Sequence, residues 1–472
     1  MASFGPDRAH RPGRRPGLIA LMVACLAWVA SSSAALAQGA IRDTEIEGII
    51  REWSTPVFEA MGLIPDDVTI MLVNDDSLNA FATRGQIMGL NTGLIMRTET
   101  PNQLLGVVAH EGAHIANRHT LSDAPTNAAM GPLLMSMALG ALAAAAGAPD
   151  AGVALAGSSQ YFGTMAALDV LRHMESEADN SAARAMDRAG MSGRGLIEFF
   201  DQEIRREDLS SGAALYPYFR SHPLTSTRVE RLRGLVRNMR NVDRKDPPEW
   251  VEQHAIIIAK MRAFMNAPAS VFVNYPESDT SYPARYARAI AHYRLGDIDR
   301  ADDEVDALLA EQPDNPFLWE LKGQVMFENA RMPEAIAAHQ KSVDLLPDAP
   351  LLRVNLAHAL IEKGGEDNTW EAILNLKRAV VEEPKNTMAW RLLARAHEAR
   401  DEPGEARLAT AEMYYAIGDT DQAVQSALSA RTMLDSDSIA FRRAVDIVLA
   451  SGATMDDLEE LDRRRPLPMA QN

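Results

Sequence analysis

The sequence predicts an α+β, mainly helical protein: an N-terminal domain with a small β-sheet, followed by an α-solenoid of short repeats. Three observations carry that reading. A β-rich run, VTIMLVN at 68–74, and a glycine-punctuated one, NAFATRGQIMGLNTGLIM at 79–96, lie between helical patterns. The stretch VVAHEGAHIANRH, 107–119, sets three histidines and a glutamate into an apolar run. From about residue 281, small residues and prolines recur with a period near 34.

In chain order, residues 1–37 read as a secretory signal. Arg8, Arg11, Arg14 and Arg15 precede the apolar run Leu18–Ala30, and Ala35, Leu36 and Ala37 form a small-residue cleavage site. The 13 apolar residues from 18 to 30 are too few to span about 30 Å of hydrocarbon. Cleavage after Ala37 and a periplasmic location are therefore expected. Lipoprotein processing at Cys25 would leave an apolar LAWVA start, and Arg14–Arg15 is only a partial twin-arginine signal. Cys25 is the single cysteine, so the mature chain has no disulfide and relies on packing or a metal. Loss of four Arg and one Asp with the signal moves the formal charge from −18 to −21. Such an acidic chain, without a basic cluster, excludes charge-driven binding of nucleic acid and leaves at most a peripheral membrane contact.

After the signal, TEIEGIIREWSTPVFEAMGL (44–63) has a helical pattern and leads into the strands. The next helix opens with Thr100 as N-cap, Pro101 in the first turn and Gln103 three residues past the cap. Residues 129–157 are the most apolar mature stretch. Pro132, Gly147, Pro149 and Asp150 interrupt it, which predicts a helix over 133–146, read as buried ahead of the alternative of a membrane-facing or substrate-facing surface. With 47% apolar and 24% charged residues over 472 positions, the chain has material for two or three domains. The expected division is signal 1–37, catalytic domain 38–245, helical connection 246–280, repeats 281–455 and tail 456–472.

In the repeats, Ala301, Ala335, Ala372 and Ala406 are spaced 34, 37 and 34 apart, and Pro313, Pro347 and Pro384 follow at 34 and 37. Trp319 with Gly323, Leu356 with Ala357, and Trp390 with Leu393 and Ala394 keep the same phase. Thirty-four residues is the tetratricopeptide period: helical hairpins that bury their apolar faces only by stacking, and so present a concave surface to proteins or peptides. The three extra residues of the longer spacing are expected in a longer turn at EKGGEDNTW. The unit YYAIGDTDQAVQSALSA follows after 17 residues, as though two repeats share a helix.

On a helix, His110 and His114 share one face and can reach one ion from the same side, with Glu111 beside them. H-E-x-x-H sites use the two histidines to hold Zn²⁺, one ion per chain here, and the glutamate as general base toward the attacking water. Buried without such a role, the histidines would be costly. A third ligand is needed. Metzincin spacing is excluded, because Asn117 and Thr120 stand where Gly and His would be required. His119, nine residues past His110, is expected on the opposite side of the helix as a structural residue. The acid-rich LRHMESEADNSAARAMDRAG offers Glu175 and Asp179 on one face, one to bind and one to orient a ligand histidine, but spacing leaves Glu175 and Glu177 open.

Together, NAFATRGQIMGLNTGLI, HEGAHIANRH, ESEADNSAARAM and SHPLTSTRVERL, in this order, resemble the CAAX prenyl endopeptidase family of gluzincin metallopeptidases. The resemblance implies Glu175 as third zinc ligand and Asp179 as its support. It also implies that a substrate peptide pairs with the strand edge at Asn79, Ala80 and Phe81 by β-augmentation. For SHPLTSTR it implies that Arg228 supports the site and that His222 points into it. His222 would either stabilise the oxyanion or occupy the open zinc position and keep the enzyme latent. Two departures stand out. Arg84 and Gln86 replace the family's usual Pro and Gly, and Gly112 weakens the helix by up to about 1 kcal/mol relative to Ala.

The function implied is hydrolysis of unfolded or stalled envelope proteins in the periplasm, with the repeats docking on partners such as the outer-membrane assembly machinery. A chaperone or adaptor with a silent zinc site is the competing reading, and Glu111 argues against it, because a structural site needs no base. An integral-membrane prenyl peptidase is excluded by topology, since the mature chain offers no spanning helix.

Overall fold

The computed structural model describes residues 39–145, 149–209, 222, 226–452 and 454. The expected signal and tail lie outside them, as does the SHPLTSTR motif at 221 and 223–225. The chain forms two compact units: one takes residues up to 42, 55–99 and 103–243, the other 43–54, 100–102 and 244 onward.

The first unit is built on a four-stranded sheet. β1 (Ala40–Ile41), β2 (Thr69–Val73), β3 (Ala80–Thr83) and β4 (Ile87–Asn91) lie in the order β1-β2-β4-β3. β2 and β4 run parallel, with Leu72 opposite Leu90, while β1 and β3 pair antiparallel on either side. β4 is central and buried along most of its length; β3 is an edge. β3 and β4 are joined through Arg84, Gly85 and Gln86, with Gly85 at φ 81° and Gln86 at φ 57°. Gln86 thus adopts the left-handed backbone that favours glycine, which is why the family's usual Gly suits that position. Opposite Phe81 stands Gly89, where an added Cβ would lie 2.3 Å from the ring. The aromatic side chain fills the space of the missing one.

Helices complete this unit: the C-terminal part of α1 (Thr44–Met61), then α2 (Thr92–Ile95), α3 (Pro101–Ala116), α4 (Ala124–Ala145), α5 (Pro149–Arg188), α6 (Arg194–Leu209) and α7 (Ser226–Val236). Its core draws Leu72, Met88 and Leu90 from the sheet, Val107 and Val108 from α3 and Phe199 from α6, all with no exposure. Every residue of α3 from Pro101 to Ile115 is buried.

The apolar segment differs from expectation. Pro132 does not interrupt it but lies inside α4, which begins at Ala124 and packs along α5. Nor is the helix buried: Leu134, Met135, Met137, Leu139 and Leu142 on α4, and Val153 and Tyr161 on α5, are exposed. The apolar residues of α4 are spread around its axis rather than gathered on one stripe, so packing against one neighbour leaves the rest uncovered. Among the described residues, no helix is long and apolar enough to cross a membrane.

The second unit begins with α8 (Pro248–Met265) and α9 (Pro268–Asn274). It continues as α10 (Tyr282–Leu295), α11 (Ile298–Glu311), α12 (Pro316–Glu328), α13 (Met332–Leu345), α14 (Pro350–Lys363), α15 (Glu366–Glu382), α16 (Thr387–Ala399), α17 (Pro403–Ala416), α18 (Thr420–Met433) and α19 (Ile439–Ala450). Hairpins start at Tyr282, Pro316, Pro350, Thr387 and Thr420, and the alanines at 301, 335, 372 and 406 are buried. The phase is kept by one repeated bond: Trp319 and Trp390 donate from Nε1 to the carbonyls of Pro313 and Pro384, and Arg353 from Nε to that of Pro347, each at 2.8 Å. The three extra residues do not enlarge the turn, which is only Gly364–Gly365. They lengthen α15 to 17 residues against 14 in α13, close to one helical turn. α17 packs against both α16 and α18, as the other repeat helices do against their neighbours.

Candidate metal centre

α3 carries the first donors. Pro101 occupies its first turn, and Gln103 accepts from the Glu99 N–H at 2.8 Å, one residue before the expected cap. His110 and His114, one turn apart, bring their Nε2 atoms to 3.1 Å. From the buried half of α5, Glu175 reaches both: Oε2 is 3.3 Å from His110 Nε2, and Oε1 is 3.3 Å from His114 Nε2. His222 enters with Nδ1 3.3 Å from His110 Nε2 and 3.0 Å from Glu175 Oε1. One ligand atom from each of these four buried residues lies within 4.8 Å of the others, an arrangement that can hold a metal ion.

A second layer fixes the first. Asp179 Oδ1 lies 3.0 Å from His110 Nδ1. Arg228 on α7 donates to Asp179 from Nε at 2.6 Å and Nη2 at 2.8 Å, and its Nη1 is 2.9 Å from Glu175 Oε2. The guanidinium lies over the Phe200 ring, 5.2 Å from its centroid. Without a cation among the donors, burial disfavours a charged His110, yet Asp179 and Glu175 outweigh it and raise the imidazole to about 9. Burial lowers His114. Burial would raise Glu175 and Asp179, but the histidines around Glu175 and the guanidinium beside Asp179 pull both below the usual carboxylate range.

Glu111 is fully buried, and neither carboxylate oxygen has a hydrogen-bond partner among the described residues. Its Oε1 stands 3.6 Å from His222 Nε2, beyond hydrogen-bonding distance. Two orphaned acceptors beside a set of metal donors fit a group that works on water rather than one that holds the fold. Gly112 follows, where an added Cβ would lie 2.9 Å from the Phe58 ring and 3.4 Å from Met61 Sδ. The glycine that weakens α3 therefore lets α1 approach it.

Of the other residues singled out in the sequence, Asn79, Ala80 and Phe81 fall at the edge strand. Asn79 accepts from the Asn91 N–H at 3.0 Å, and Ala80 pairs with Leu90. Among the described residues, the hydrogen bonds and ion pairs of the His–Glu group do not reach them. His119 departs from its expected place. α3 ends at Ala116, Arg118 adopts φ 60°, and the chain turns back through a short 3₁₀ segment, His119–Leu121. His119 Nδ1 consequently lies 3.1 Å from His114 Nδ1, and its Nε2 lies 3.3 Å from Glu177 Oε2. Continuing the helix for nine residues hid this contact. Asn117, a residue that favours helix ends, was the available warning.

Residues 40–236 match the model of peptidase family M48, and residues 307–424 match one described as the cytochrome c-type biogenesis protein H TPR domain. The β-barrel assembly-enhancing protease of Escherichia coli K12 is 26% identical over 401 residues, covering 83% of this chain and 79% of the relative. A putative β-barrel assembly-enhancing protease of Vibrio cholerae is 25% identical over 380 residues, 79% of this chain and 77% of that one. A protease HtpX homologue of Burkholderia lata is 27% identical over 203 residues, 36% of this chain and 69% of its own. The chain is thus a metalloprotease with an M48 peptidase domain and tetratricopeptide repeats, homologous to the β-barrel assembly-enhancing proteases.

Proposed function

We propose that this metalloprotease is a zinc-dependent endopeptidase of the periplasm that cleaves unfolded or stalled envelope proteins. His110, His114 and Glu175 would hold the ion, and Glu111 is the general base. The observation that carries the reading is the fully buried Glu111 carboxylate, which has no hydrogen bond among the described residues, beside donors 3.1–3.3 Å apart. Corners of a tetrahedron around zinc, about 2.0–2.1 Å from it, stand roughly 3.3 Å apart, which supports one ion among these atoms. When bound, zinc polarises a substrate carbonyl and acidifies water to about pKa 7. The rest falls to the protein. Glu111 takes the proton of the attacking water and passes it to the leaving amine. Asp179 and Arg228 keep His110 and Glu175 in place. β3 is an edge of the sheet and would take a substrate strand along its outer side at Asn79, Ala80 and Phe81.

His222 is assigned the fourth donor position, which its Nδ1 at 3.0 Å from Glu175 and 3.3 Å from His110 supports. The resting enzyme is then latent, and movement of His222 opens the site. His222→Ala should retain zinc and change activity; loss of zinc would make it an obligatory ligand. The N-terminal signal pattern supports the periplasmic location, and the repeats support docking on protein partners, for which the outer-membrane assembly machinery is the candidate.

The test is Glu111→Gln. It should bind one zinc per chain and lose proteolysis; a variant that cleaves as well as wild type refutes the mechanism. Crosslinked in the envelope, the same variant should retain unassembled β-barrel proteins and their assembly factors over a variant lacking residues 281–472. An unrelated catch would leave the chemistry standing and remove the biological role.

A further inference from the structure

An imidazole that gives Nε2 to a metal carries its proton on Nδ1 and needs an acceptor there. For His110 the carboxylate that faces Nδ1 is Asp179, 3.0 Å away. For His114 the partner of Nδ1 is the Nδ1 of His119, at 3.1 Å. Two ring nitrogens at this distance bond only if one is protonated and the other is not. With His114 donating, neutral His119 accepts at Nδ1 and carries its own proton on Nε2. That nitrogen is the one facing Glu177 Oε2 at 3.3 Å.

We propose that His119 and Glu177 form a second supporting arm of the metal centre, a His–His–Glu chain that holds His114 in its Nδ1–H tautomer and fixes its ring. His119 is a positioning residue. Three features place it. Arg118 in the left-handed conformation turns the chain back onto His114. Asn117 Nδ2 donates to Ser181 Oγ at 3.1 Å and ties the same turn to α5, which also carries Glu177. The His119 side chain is 8% exposed, so its bond to His114 faces little competition from water.

The two arms differ in kind. His110 rests on a buried carboxylate, itself gripped by Arg228; His114 rests on a neutral ring whose far end meets a 51% exposed glutamate. The outer arm is therefore the weaker and the one reachable from solvent. Replacing Glu177 should cost less than replacing His119.

The inference rests on His114 being a metal ligand, and the experiment separates the two. Zinc affinity of the full chain is measured by competition with a chromophoric chelator for wild type, His119→Phe, His119→Gln and Glu177→Gln. The ¹⁵N signals of His114 are read alongside. Loss of a supporting partner typically weakens metal binding about 10- to 100-fold. His119→Phe should fall in that range, Glu177→Gln a few-fold, and His119→Gln, which restores an acceptor oxygen, should recover most of the affinity. Loss of the Nδ1–H signature in His119→Phe, with unfolding in chelator unchanged, is the reading that a merely structural role would not give. If wild type and His114→Ala bind zinc alike, the metal-site reading falls. If wild type binds through His114 while His119→Phe binds as tightly with the same tautomer, only the arm is refuted.

Discussion

Removing the Arg228 guanidinium tests whether the centre depends on charge held out of water. The side chains of Arg228, Asp179 and Glu175 are only 5%, 4% and 6% exposed, and the cation makes three contacts of 2.6–2.9 Å to the two carboxylates. Breaking such a buried arrangement from one side costs about 3–5 kcal/mol, because the remaining charge stays buried and unpaired. In metal-free protein the lower end, about 3 kcal/mol, is expected at neutral pH, since a protonated His110 still faces both acids. The His110 contribution has a defined sign. Its pKa is raised in the fold to about 9, so its stabilisation is complete below the ordinary 6.5 and disappears as pH rises through 9.

Arg228→Met should therefore destabilise the first unit more at pH 9.5 than at pH 7. The tryptophans beyond residue 37, at 53, 250, 319, 370 and 390, all belong to the second unit, so their fluorescence would not report the loss. Hydrogen exchange in peptides from α3 and α5, in chelator, is the suitable assay. A loss of about 3 kcal/mol lowers protection roughly 100-fold. The double variant Arg228→Met/Asp179→Asn removes both charges and should recover at least about 1 kcal/mol relative to additivity. A single variant costing under about 1 kcal/mol, or strictly additive losses, would refute the account.

Two further predictions follow from packing and burial. Gly112→Ala gains up to about 1 kcal/mol of helix propensity but drives a methyl against the buried Phe58 ring, for a net loss of about 1–2 kcal/mol; a stabilised variant by hydrogen exchange would show that α1 yields. His339, 2% exposed and pushed by burial to about 4, takes up its proton in the unfolded chain near 6.5 but not in the fold. His339 alone should thus contribute a fall of on the order of 3 kcal/mol in the stability of the second unit as pH drops from 6.5 to 4, and His339→Gln should remove that contribution from the urea-midpoint profile read by tryptophan fluorescence, where profiles parallel to wild type would exclude the mechanism.

The errors of sequence reading share a cause. Pro132 was read as a break, yet a helix absorbs a proline at the loss of one backbone bond where neighbouring turns hold. The apolar composition of 129–157 suggested burial, but composition does not create a partner large enough to cover a helix that is apolar all round. His119 was assigned by helical phase, and phase ended three residues earlier, at Ala116. In the repeats, three residues too many looked like loop because loops tolerate insertion, but nearly a full turn can be added to α15 without changing which face it buries.

Local chemistry and periodicity reach a long way in this chain. The pair His110 and His114 with Glu111 follows from a four-residue spacing on a helix, and the repeat unit from its 34-residue phase, since both depend on neighbours in sequence. Spacing alone could not choose between Glu175 and Glu177, because both lie on α5 and only packing decides which enters the centre. In the fold, Glu175 meets the histidines on the buried side, and Glu177 meets His119 at the surface. The arrival of Arg228, the turn that brings His119 back and the exposure of the α4–α5 arm depend on contacts between residues far apart in the chain or on the end of a helix. Such contacts follow from how the elements pack, and this only the tertiary structure decided.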